Sequence, residues 1–259
     1  MDFRKIEVLT PDAIALLVAK LRERPARGGR VRASRPTKTS PRRIWNDSGL
    51  TDIFQSADAD DLPEPHGKII MRSMVETNPD AALFLREFAQ QYIRLEREAH
   101  WLSVQTILLE GMANTVNHAD GSTGEERQQS GEAWYAAVYC DEVTSSAKFT
   151  FLDTGVGILE SLRKKPPLRD RLLMSTTSSD AVLAKVLEGA ITSSTGLKHR
   201  GEGLPEIRTI AVFDQEVDRL VIVTNDVFAD VTASKFIRMP LDFHGTVLYW
   251  EKAGTWHPR

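Results

Sequence analysis

The chain has 259 residues, a formal net charge of −3 at pH 7, 41% hydrophobic residues and 27% charged residues. This length can bury a core in one large domain or two small ones, and the composition is that of a globular protein. The nearly balanced charge gives no whole-chain indication of binding to nucleic acid or to an anionic membrane. Residues 1–12 are too charged for a signal peptide, and no apolar run reaches the roughly 18–20 residues that span a bilayer. We therefore expect a cytoplasmic protein without membrane contact.

The chain contains one cysteine, Cys140. A single cysteine excludes an intramolecular disulfide and a cysteine-rich zinc site, and it is compatible with a reducing compartment. Cys140 follows the apolar run 133–139, so we expect a buried structural thiol rather than a nucleophile.

Residues 1–75 are predicted to form a small α/β region. Its predicted elements are a strand at 3–9, helices at 11–21 and 44–54, and a strand at 68–71. Residues 22–43 hold nine arginine or lysine residues against one acid, together with proline and glycine, which predicts a basic loop. Such a loop is either a solvated linker or an arm that binds nucleic acid, and the lack of interleaved aromatic residues favours the linker.

Residues 80–259 are predicted to form a second, larger α/β domain. Asn78 is a candidate N-cap and Pro79 a candidate first-turn residue for its first helix. A break near residues 100–102 is expected to separate that helix from the next one. In chain order, helices are predicted at 80–98, 108–119, 180–190 and 203–213, and strands at 132–140, 147–152, 220–224, 235–239 and 245–250.

The sequence LLEGMANTVNHA, residues 108–119, has a distinctive polar pattern. Glu110, Asn114, Asn117 and His118 follow the i, i+4, i+7, i+8 spacing that places them on one side of a helix, beside an apolar face. A carboxylate, two carboxamides and an imidazole in line can supply a base, a metal ligand and a phosphate contact. The alternative is a half-exposed helix with a polar face, on which His118 is a cation favoured by the dipole at the helix C-terminus.

Two glycine motifs follow further along the chain. FLDTGVGI, residues 151–158, ends a strand with Asp153 and then turns on two glycines, and HRGEGLPEI, residues 199–207, places Gly201 and Gly203 directly before a helix. Glycines at such a junction let the backbone approach a ligand and expose amides at the positive end of the helix dipole, which suits a phosphate. Taken alone each motif is weak, since Asp153 is also an ordinary residue to begin a turn.

The order of these motifs resembles the ATP-binding domain of the GHKL superfamily: E-x-x-x-N-x-x-x-H on a helix, D-x-G-x-G-I after a strand, and G-x-G-L opening a helix. This superfamily includes gyrase B-type ATPases, heat-shock chaperones, mismatch-repair ATPases, histidine kinases and anti-sigma-factor serine kinases. The resemblance covers residues 80–252, about two-thirds of the chain. It implies a Bergerat-type ATP-binding fold, a two-layer α/β sandwich with a mixed, largely antiparallel sheet, at 80–259. It also implies an ATP lid at 158–200 and the cofactors ATP and Mg²⁺.

The resemblance assigns the catalytic and metal-binding roles to the helix. Glu110 would orient or deprotonate the attacking water, or the attacking hydroxyl in a kinase. Asn114 would bind Mg²⁺ through its carbonyl oxygen, in a site that keeps several waters and takes few protein ligands beside the phosphates.

The resemblance also assigns nucleotide contacts to all three motifs and to a late strand. Asp153 would accept a hydrogen bond from the adenine amino group, with Gly157 giving room for the ring. Thr246, in the sequence HGTVLYW, would support Asp153 and a bound water, although it is also an ordinary strand residue. The other expected contacts are phosphate-binding amides, candidate charge partners and motif neighbours: Gly201, Gly203 and Leu204; His118, Lys198 and Arg200; and Asn117, Gly155 and Ile158.

Three functions are compatible with such a site. The first is a Mg²⁺-dependent ATPase that hydrolyses ATP slowly and acts as a regulatory or signalling switch, engaging a protein partner or a second copy of the chain. The second is a protein serine kinase of the anti-sigma-factor type, which phosphorylates a separate partner. The third is a non-catalytic module that uses ATP as a structural ligand, against which the presence of Glu110 argues.

Two related functions match the sequence less well. A sensor histidine kinase needs a phosphoacceptor histidine followed by an acid, and His100, in EREAHWLSV, lacks that context. A gyrase-type mechanism needs a further domain with a lysine that contacts phosphate, whereas only residues 251–259 follow the last predicted strand.

Overall fold

The computed structural model describes residues 1–22, 32–55, 69–74, 77–118, 134–164, 176–191, 203–213 and 216–258, with the backbone alone described at 22, 52–53, 55, 69–74, 116–118 and 164. Its helices are α1 (Pro11–Arg22), α2 (Thr39–Asp47), α3 (Leu50–Gln55), α4 (Pro79–Gln90), α5 (His100–His118), α6 (Ile158–Lys164), α7 (Ser179–Leu187) and α8 (Gly203–Arg208), which continues into a π-helical turn (Thr209–Phe213). Its strands are β1 (Ile69–Met74), β2 (Ile93–Arg94), β3 (Trp134–Asp141), β4 (Ser146–Asp153), β5 (Arg219–Asp230), β6 (Lys235–Ala253) and β7 (Thr255–Trp256).

Five of the described strands form one sheet in the order β1–β3–β4–β6–β5, and each neighbouring pair is antiparallel. Strands β2 and β7 form a separate antiparallel ladder. The α/β class and the largely antiparallel sheet that the sequence predicts are therefore confirmed. The parallel pair that a mixed sheet requires does not occur among the described strands of this sheet.

Both faces of the sheet are buried, which explains the nearly continuous apolar sequence of β3. All eight residues of this strand are buried, including Cys140, as predicted. Because successive side chains of a strand point to opposite faces, β3 contributes to two hydrophobic clusters. One cluster contains Trp134, Ala136, Val138 and Cys140 with residues of α4, α5, α7 and α8, and the other contains Tyr135, Ala137 and Tyr139 with residues of α1, α2 and α3. We call these two sides of the sheet the α5 face and the α1 face.

The N-terminal helices cover the α1 face. Ile14 of α1 is fully buried in the same cluster as Leu152 of β4. Trp45 of α2 stacks on Phe54 of α3, with the ring centroids 5.5 Å apart and the planes 2° from parallel. Burial of aromatic rings of this size is a large contribution to a small cluster, so these helices are a layer of the fold rather than an appendage.

The predicted boundary between residues 1–75 and the domain at 80–259 stays a prediction. Strand β1, which precedes the boundary, is the edge strand of the main sheet and pairs with β3. Helix α1 also precedes it and packs on strands that follow it. The described elements on the two sides of the boundary therefore share one sheet and one buried cluster.

Two expectations for the N-terminal part are wrong. Residues 3–9 do not form a strand in the described structure, where Asp2 makes an isolated parallel bridge with Ser34. The predicted basic loop 22–43 ends in a helix, because α2 already begins at Thr39. Most residues of this helix are basic or polar, so the sequence pattern does not indicate its short apolar side. That side buries the side chains of Pro41 and Trp45.

The start of α4 follows the prediction. The Oδ1 atom of Asn78 accepts a hydrogen bond from the backbone N–H of Ala81 at 2.8 Å, and Pro79 occupies the first turn. The helix ends at Gln90, well before the predicted end at residue 98. It ends early because Ile93 and Leu95, which follow it, are buried near the short β2–β7 ladder instead of continuing the helix.

Helix α5 contains residues 108–118 of the helical stretch predicted at 108–119. It runs for 19 residues from His100 to His118, so the expected break near residues 100–102 marks its beginning. Trp101 and Val104 are buried and continue the apolar side of the helix toward its N-terminus. No described helix is both long and apolar enough to cross a membrane.

Strands β5 and β6 form a long hairpin that bends at Asn225. The first half of β5 pairs with residues 246–251 of β6, and after two register shifts the second half pairs with residues 235–238. Strand β5 doubles back at the bend, since the N–H of Val231 donates to the carbonyl of Leu220 at 2.8 Å. Such bulges bend a strand and redirect its side chains.

Candidate functional site

Helix α5 crosses the sheet directly over β4. A β-carbon added to Gly111 would lie 2.9 Å from the ring of Phe151, closer than carbon atoms normally approach. Glycine at this position therefore lets the helix lie against the strand. Since Glu110 precedes Gly111 and Asp153 lies two residues after Phe151, the contact brings the predicted base and the predicted adenine ligand to the α5 face.

Asp153, Thr246 and Thr224 form a row across three adjacent strands. Asp153 lies directly opposite Thr246 in the β4–β6 pairing, and Thr246 lies opposite Thr224 in the β5–β6 pairing. Side chains of residues that are directly opposite share one face, with their β-carbons about 4.5–5.5 Å apart. The two threonine hydroxyls are 3.3 Å apart, and both threonines are buried. The structure thus brings together the aspartate and the late-strand threonine that the sequence singled out.

The loop after β4 is held by its own aspartate. The Oδ1 atom of Asp153 accepts a hydrogen bond from the N–H of Gly155 at 2.7 Å. This is the contact of an aspartate that begins a turn, the ordinary alternative considered for Asp153. A carboxylate has about four acceptor sites, so the turn and a ligand can both be served by the same side chain.

Gly157 is in close contact with strands β5 and β6. Its φ angle is +84°, and an added β-carbon would lie within 3 Å of Asn225, Thr224 and Gly245. A side chain is therefore excluded by the backbone conformation and by the neighbouring atoms. That Gly157 also gives room for an adenine ring stays a prediction.

Two residues of β5 that the sequence did not single out hold the start of α6. The hydroxyl of Thr224 accepts a hydrogen bond from the N–H of Ile158 at 2.9 Å. The Oδ1 atom of Asn225 accepts from the N–H groups of Leu159 at 3.0 Å and Glu160 at 3.3 Å. These N–H groups would otherwise lack partners at a helix start. The backbone N–H of Ile158, a predicted nucleotide contact, is thus already bonded to the protein.

The side chain of Glu110 lies against the start of α8. A β-carbon added to Gly203 would collide with the carboxylate of Glu110, so the helix begins in direct contact with that group. Burial, and next to it the negative charge of Glu206, raise the pKa of Glu110 above its ordinary value of 4.5. A carboxyl group with a raised pKa is a stronger proton acceptor once it is ionised, which suits a general base.

Asn114 follows Glu110 by one turn of α5 and is half-buried. The side chains at i and i+4 lie on the same side of a helix, so an amide and a carboxylate occupy neighbouring positions there. The backbone of α5 also includes Asn117 and His118. Within the described ranges, no group of three or more His, Cys, Asp or Glu residues is arranged to hold a metal ion.

The G-x-G-L motif is described from its second glycine onward. Gly203 and Leu204 begin α8, and Leu204 packs against the core. Lys198, Arg200 and Gly201 lie outside the described residues. The structure therefore brings the last part of this motif to Glu110, and the expected contacts of the first part stay predictions.

Comparison with known proteins gives no family assignment. No protein-family model matches the chain, and no curated protein is significantly similar to it. The resemblance to the GHKL superfamily therefore stays a prediction from the motifs of this sequence.

The predicted lid at residues 158–200 contains two helices of the core. Leu159 of α6 is 1% exposed, and α7 buries Val182, Leu183 and Leu187 in the cluster on the α5 face. These helices are packed parts of the domain, so a lid that orders on nucleotide binding does not include them. The prediction remains for residues 165–175 and 192–200, which lie outside the described residues.

Proposed function

We propose that the chain binds ATP with Mg²⁺ and hydrolyses it slowly, as a regulatory or signalling switch of the GHKL type. In this proposal the sheet and the helices of the α5 face are the two layers of a Bergerat-type fold. Helices α1 to α3 are a further layer on the opposite face. The switch engages a protein partner or a second copy of the chain.

The meeting of three motifs that lie far apart in the sequence carries this proposal. Gly111 packs on the ring of Phe151, so α5 lies against β4 at the residue that follows Glu110 and two residues before Asp153. Gly203 packs on Glu110, so the start of α8 is in contact with the same helix. Motifs that matched the superfamily by chance would have no physical reason to converge on one face of one sheet.

Asp153 and Thr246 recognise the adenine in this proposal. The carboxylate of Asp153 accepts a hydrogen bond from the exocyclic amino group, while its bond to Gly155 keeps the side chain in one orientation. Thr246 lies directly opposite and has a hydroxyl 3.3 Å from that of Thr224. The row of side chains is therefore fixed before a ligand arrives, which lowers the entropic cost of binding.

Glu110 and Asn114 serve the phosphate end of the site. An amide oxygen beside a carboxylate is an oxygen donor set, which fits Mg²⁺, and Asn114 is the residue that would hold it. When bound, Mg²⁺ neutralises charge on the phosphates. Glu110 accepts the proton of the attacking water, and burial supports this role because it raises the pKa of the carboxyl group.

Calorimetric titration with Mg-ATP, combined with phosphate release, tests the proposal. We expect the wild type to bind Mg-ATP and to release phosphate slowly. Glu110→Gln is expected to keep binding and to lose turnover by about a hundredfold or more, the range of a general base. Asp153→Asn is expected to lose binding. Glu87→Gln, which changes an exposed carboxylate on α4, is the control and is expected to behave as the wild type.

The outcomes distinguish the alternatives. A wild type that binds no Mg-ATP would overturn the proposal. If the wild type binds Mg-ATP without releasing phosphate, the function is not hydrolysis. It is then phosphorylation of a separate partner or the use of ATP as a structural ligand. Undiminished turnover in Glu110→Gln would remove Glu110 from the mechanism while leaving the nucleotide site in place.

A further inference from the structure

We propose that Asn225 is a positioning residue for the nucleotide loop, residues 153–157, on which it acts from a different strand through its side chain. The proposal rests on the proposed function, because the loop begins with Asp153, the residue assigned to the adenine. It adds a residue that belongs to none of the three motifs. Asn225 touches the loop rather than the ligand, so its effect is on the geometry of binding.

The side chain of Asn225 joins the loop to the helix that follows. Its Nδ2 atom donates to the carbonyl of Val156 at 2.9 Å. Its Oδ1 atom accepts from the N–H groups of Leu159 at 3.0 Å and Glu160 at 3.3 Å. The donor and the acceptor of one carboxamide are therefore both engaged, and three backbone groups depend on it.

The position of Asn225 requires an unusual backbone. Its φ angle is +50°, in the left-handed region that asparagine tolerates better than most residues that have side chains. The two register shifts between β5 and β6 lie on either side of it, so the bulge directs this side chain toward the loop. Asn225 is 4% exposed, which means that loss of its bonds would leave buried polar groups without partners.

The loop is consequently held at both ends. At its start, Asp153 belongs to β4 and is bonded to Gly155. At its end, Asn225 holds Val156, and the hydroxyl of Thr224 accepts from the N–H of Ile158 at 2.9 Å. Release of the second end would allow Gly155 to move, and with it the turn that orients the carboxylate of Asp153.

Two variants separate the side chain of Asn225 from its backbone conformation. Asn225→Gly removes all the side-chain hydrogen bonds and accepts a positive φ angle without strain. Asn225→Asp keeps the acceptor for Leu159 and Glu160 but replaces the donor to Val156 by a second oxygen. If Asn225 has the proposed role, both variants bind the nucleotide more weakly than the wild type, and the aspartate variant binds it more tightly than the glycine variant.

Calorimetric titration with Mg-ATP and turnover at saturating ATP measure the effect. We expect the Kd of Asn225→Gly to rise about tenfold or more and that of Asn225→Asp about threefold, because the first variant loses three hydrogen bonds to backbone groups and the second loses one. Turnover at saturating ATP is expected to stay within about twofold of the wild type, because Glu110 and Asn114 lie on α5. This separation of Kd from turnover is not expected of general destabilisation.

Hydrogen exchange at the amides of Leu159 and Glu160 provides the second measurement. Both amides are expected to exchange faster in Asn225→Gly, whereas those of β3 are not. Faster exchange with an unchanged Kd for Mg-ATP would overturn the proposal. If the glycine variant does not fold, an unchanged Kd of Asn225→Asp for Mg-ATP would also overturn the proposal. A wild type that binds no Mg-ATP removes the proposed function as well, whereas equal binding by the wild type and the variants removes only the role of Asn225.

Discussion

Gly157 lies in direct contact with Asn225: a β-carbon added to Gly157 would stand 2.7 Å from the Oδ1 atom of Asn225. The same position would be 2.9 Å from the hydroxyl of Thr224 and 2.8 Å from the carbonyl oxygen of Gly245. Three polar atoms of β5 and β6 therefore surround this glycine of the loop. Since these atoms belong to the backbone or to hydrogen-bonded side chains, they cannot easily move away.

Gly157→Ala is expected to lower the free energy of unfolding by about 3 kcal/mol. A residue with a β-carbon loses roughly 1–2 kcal/mol in the left-handed conformation, and overpacking costs roughly 1–3 kcal/mol. Unfolding in urea, followed by tryptophan fluorescence, measures the loss through the shift of the midpoint at constant slope.

Gly189→Ala is the matched control for this prediction. Gly189 also has a positive φ angle, +71°, but the nearest atom to an added β-carbon is Cγ of Pro205 at 3.6 Å, an ordinary contact. Its loss is expected to be only roughly 1–2 kcal/mol, from the backbone conformation alone. Equal losses in the two variants would show that the contact with Asn225 has no energetic consequence.

Thr150 and Thr224 lie in the same sheet, are both fully buried and use their hydroxyl groups differently. The hydroxyl of Thr150 has no hydrogen-bond partner among the described residues. Thr150→Val is therefore expected to raise the free energy of unfolding by about 1 kcal/mol, since it removes an unsatisfied buried polar group. Thr224→Val is expected to lower it by about 1–3 kcal/mol, because the N–H of Ile158 loses its acceptor. Thermal unfolding of the two variants gives the comparison, and a shift of the same sign in both would contradict it.

The sequence predicts the central elements well because their patterns are strong. Strands β3 and β4 are rich in aromatic residues and begin and end within two residues of the predicted positions. Asn78 and Pro79 give the start of α4. Residues 39–43, the first part of α2, are not predicted as helix because a basic composition says little about burial, and the position of α2 depends on the ring of Phe54 that stacks on Trp45.

The residues of the candidate site differ in the same way in how well the sequence predicts them. Glu110 and Asp153 are found from the sequence because they belong to spaced motifs, and the structure brings both to the α5 face. Asn225 is not found, because its contact with Val156 joins residues 69 positions apart and depends on a bulge that no local pattern specifies. An asparagine after the apolar run of a strand is the one signal present, and it only indicates tolerance of a positive φ angle.

Asn78→Ala is expected to lower the free energy of unfolding by about 1 kcal/mol, because the N–H of Ala81 loses the acceptor that caps α4. Urea unfolding measures the loss. Ser178→Ala is the matched control, since Ser178 occupies the N-cap position of α7 without a side-chain capping bond and is exposed. Its effect is expected to be within about 0.5 kcal/mol of zero. A loss at Ser178 as large as that at Asn78 would show that the capping bond is not the cause.

The raised pKa of Glu110 has a consequence for stability at neutral pH. Because burial and the charge of Glu206 raise this pKa, the folded protein binds the proton more tightly than the unfolded chain does. The stabilising effect of that proton is fully present below the ordinary value of 4.5 and is lost as the pH rises through the raised pKa. The ionised carboxylate therefore destabilises the folded protein at neutral pH.

Glu110→Gln is accordingly expected to be more stable than the wild type at pH 7 and equal to it at pH 4. The gain stays below about 1 kcal/mol, since solvent screens a half-buried carboxylate. Urea unfolding at a series of pH values measures the difference between the two proteins, which cancels the titration of other groups. Glu206→Gln removes one of the two causes of the raised pKa of Glu110. The gain in stability from Glu110→Gln is therefore expected to be smaller in a protein that also carries Glu206→Gln. A difference that grows toward acidic pH would have the wrong sign and would contradict the burial of an ionised Glu110.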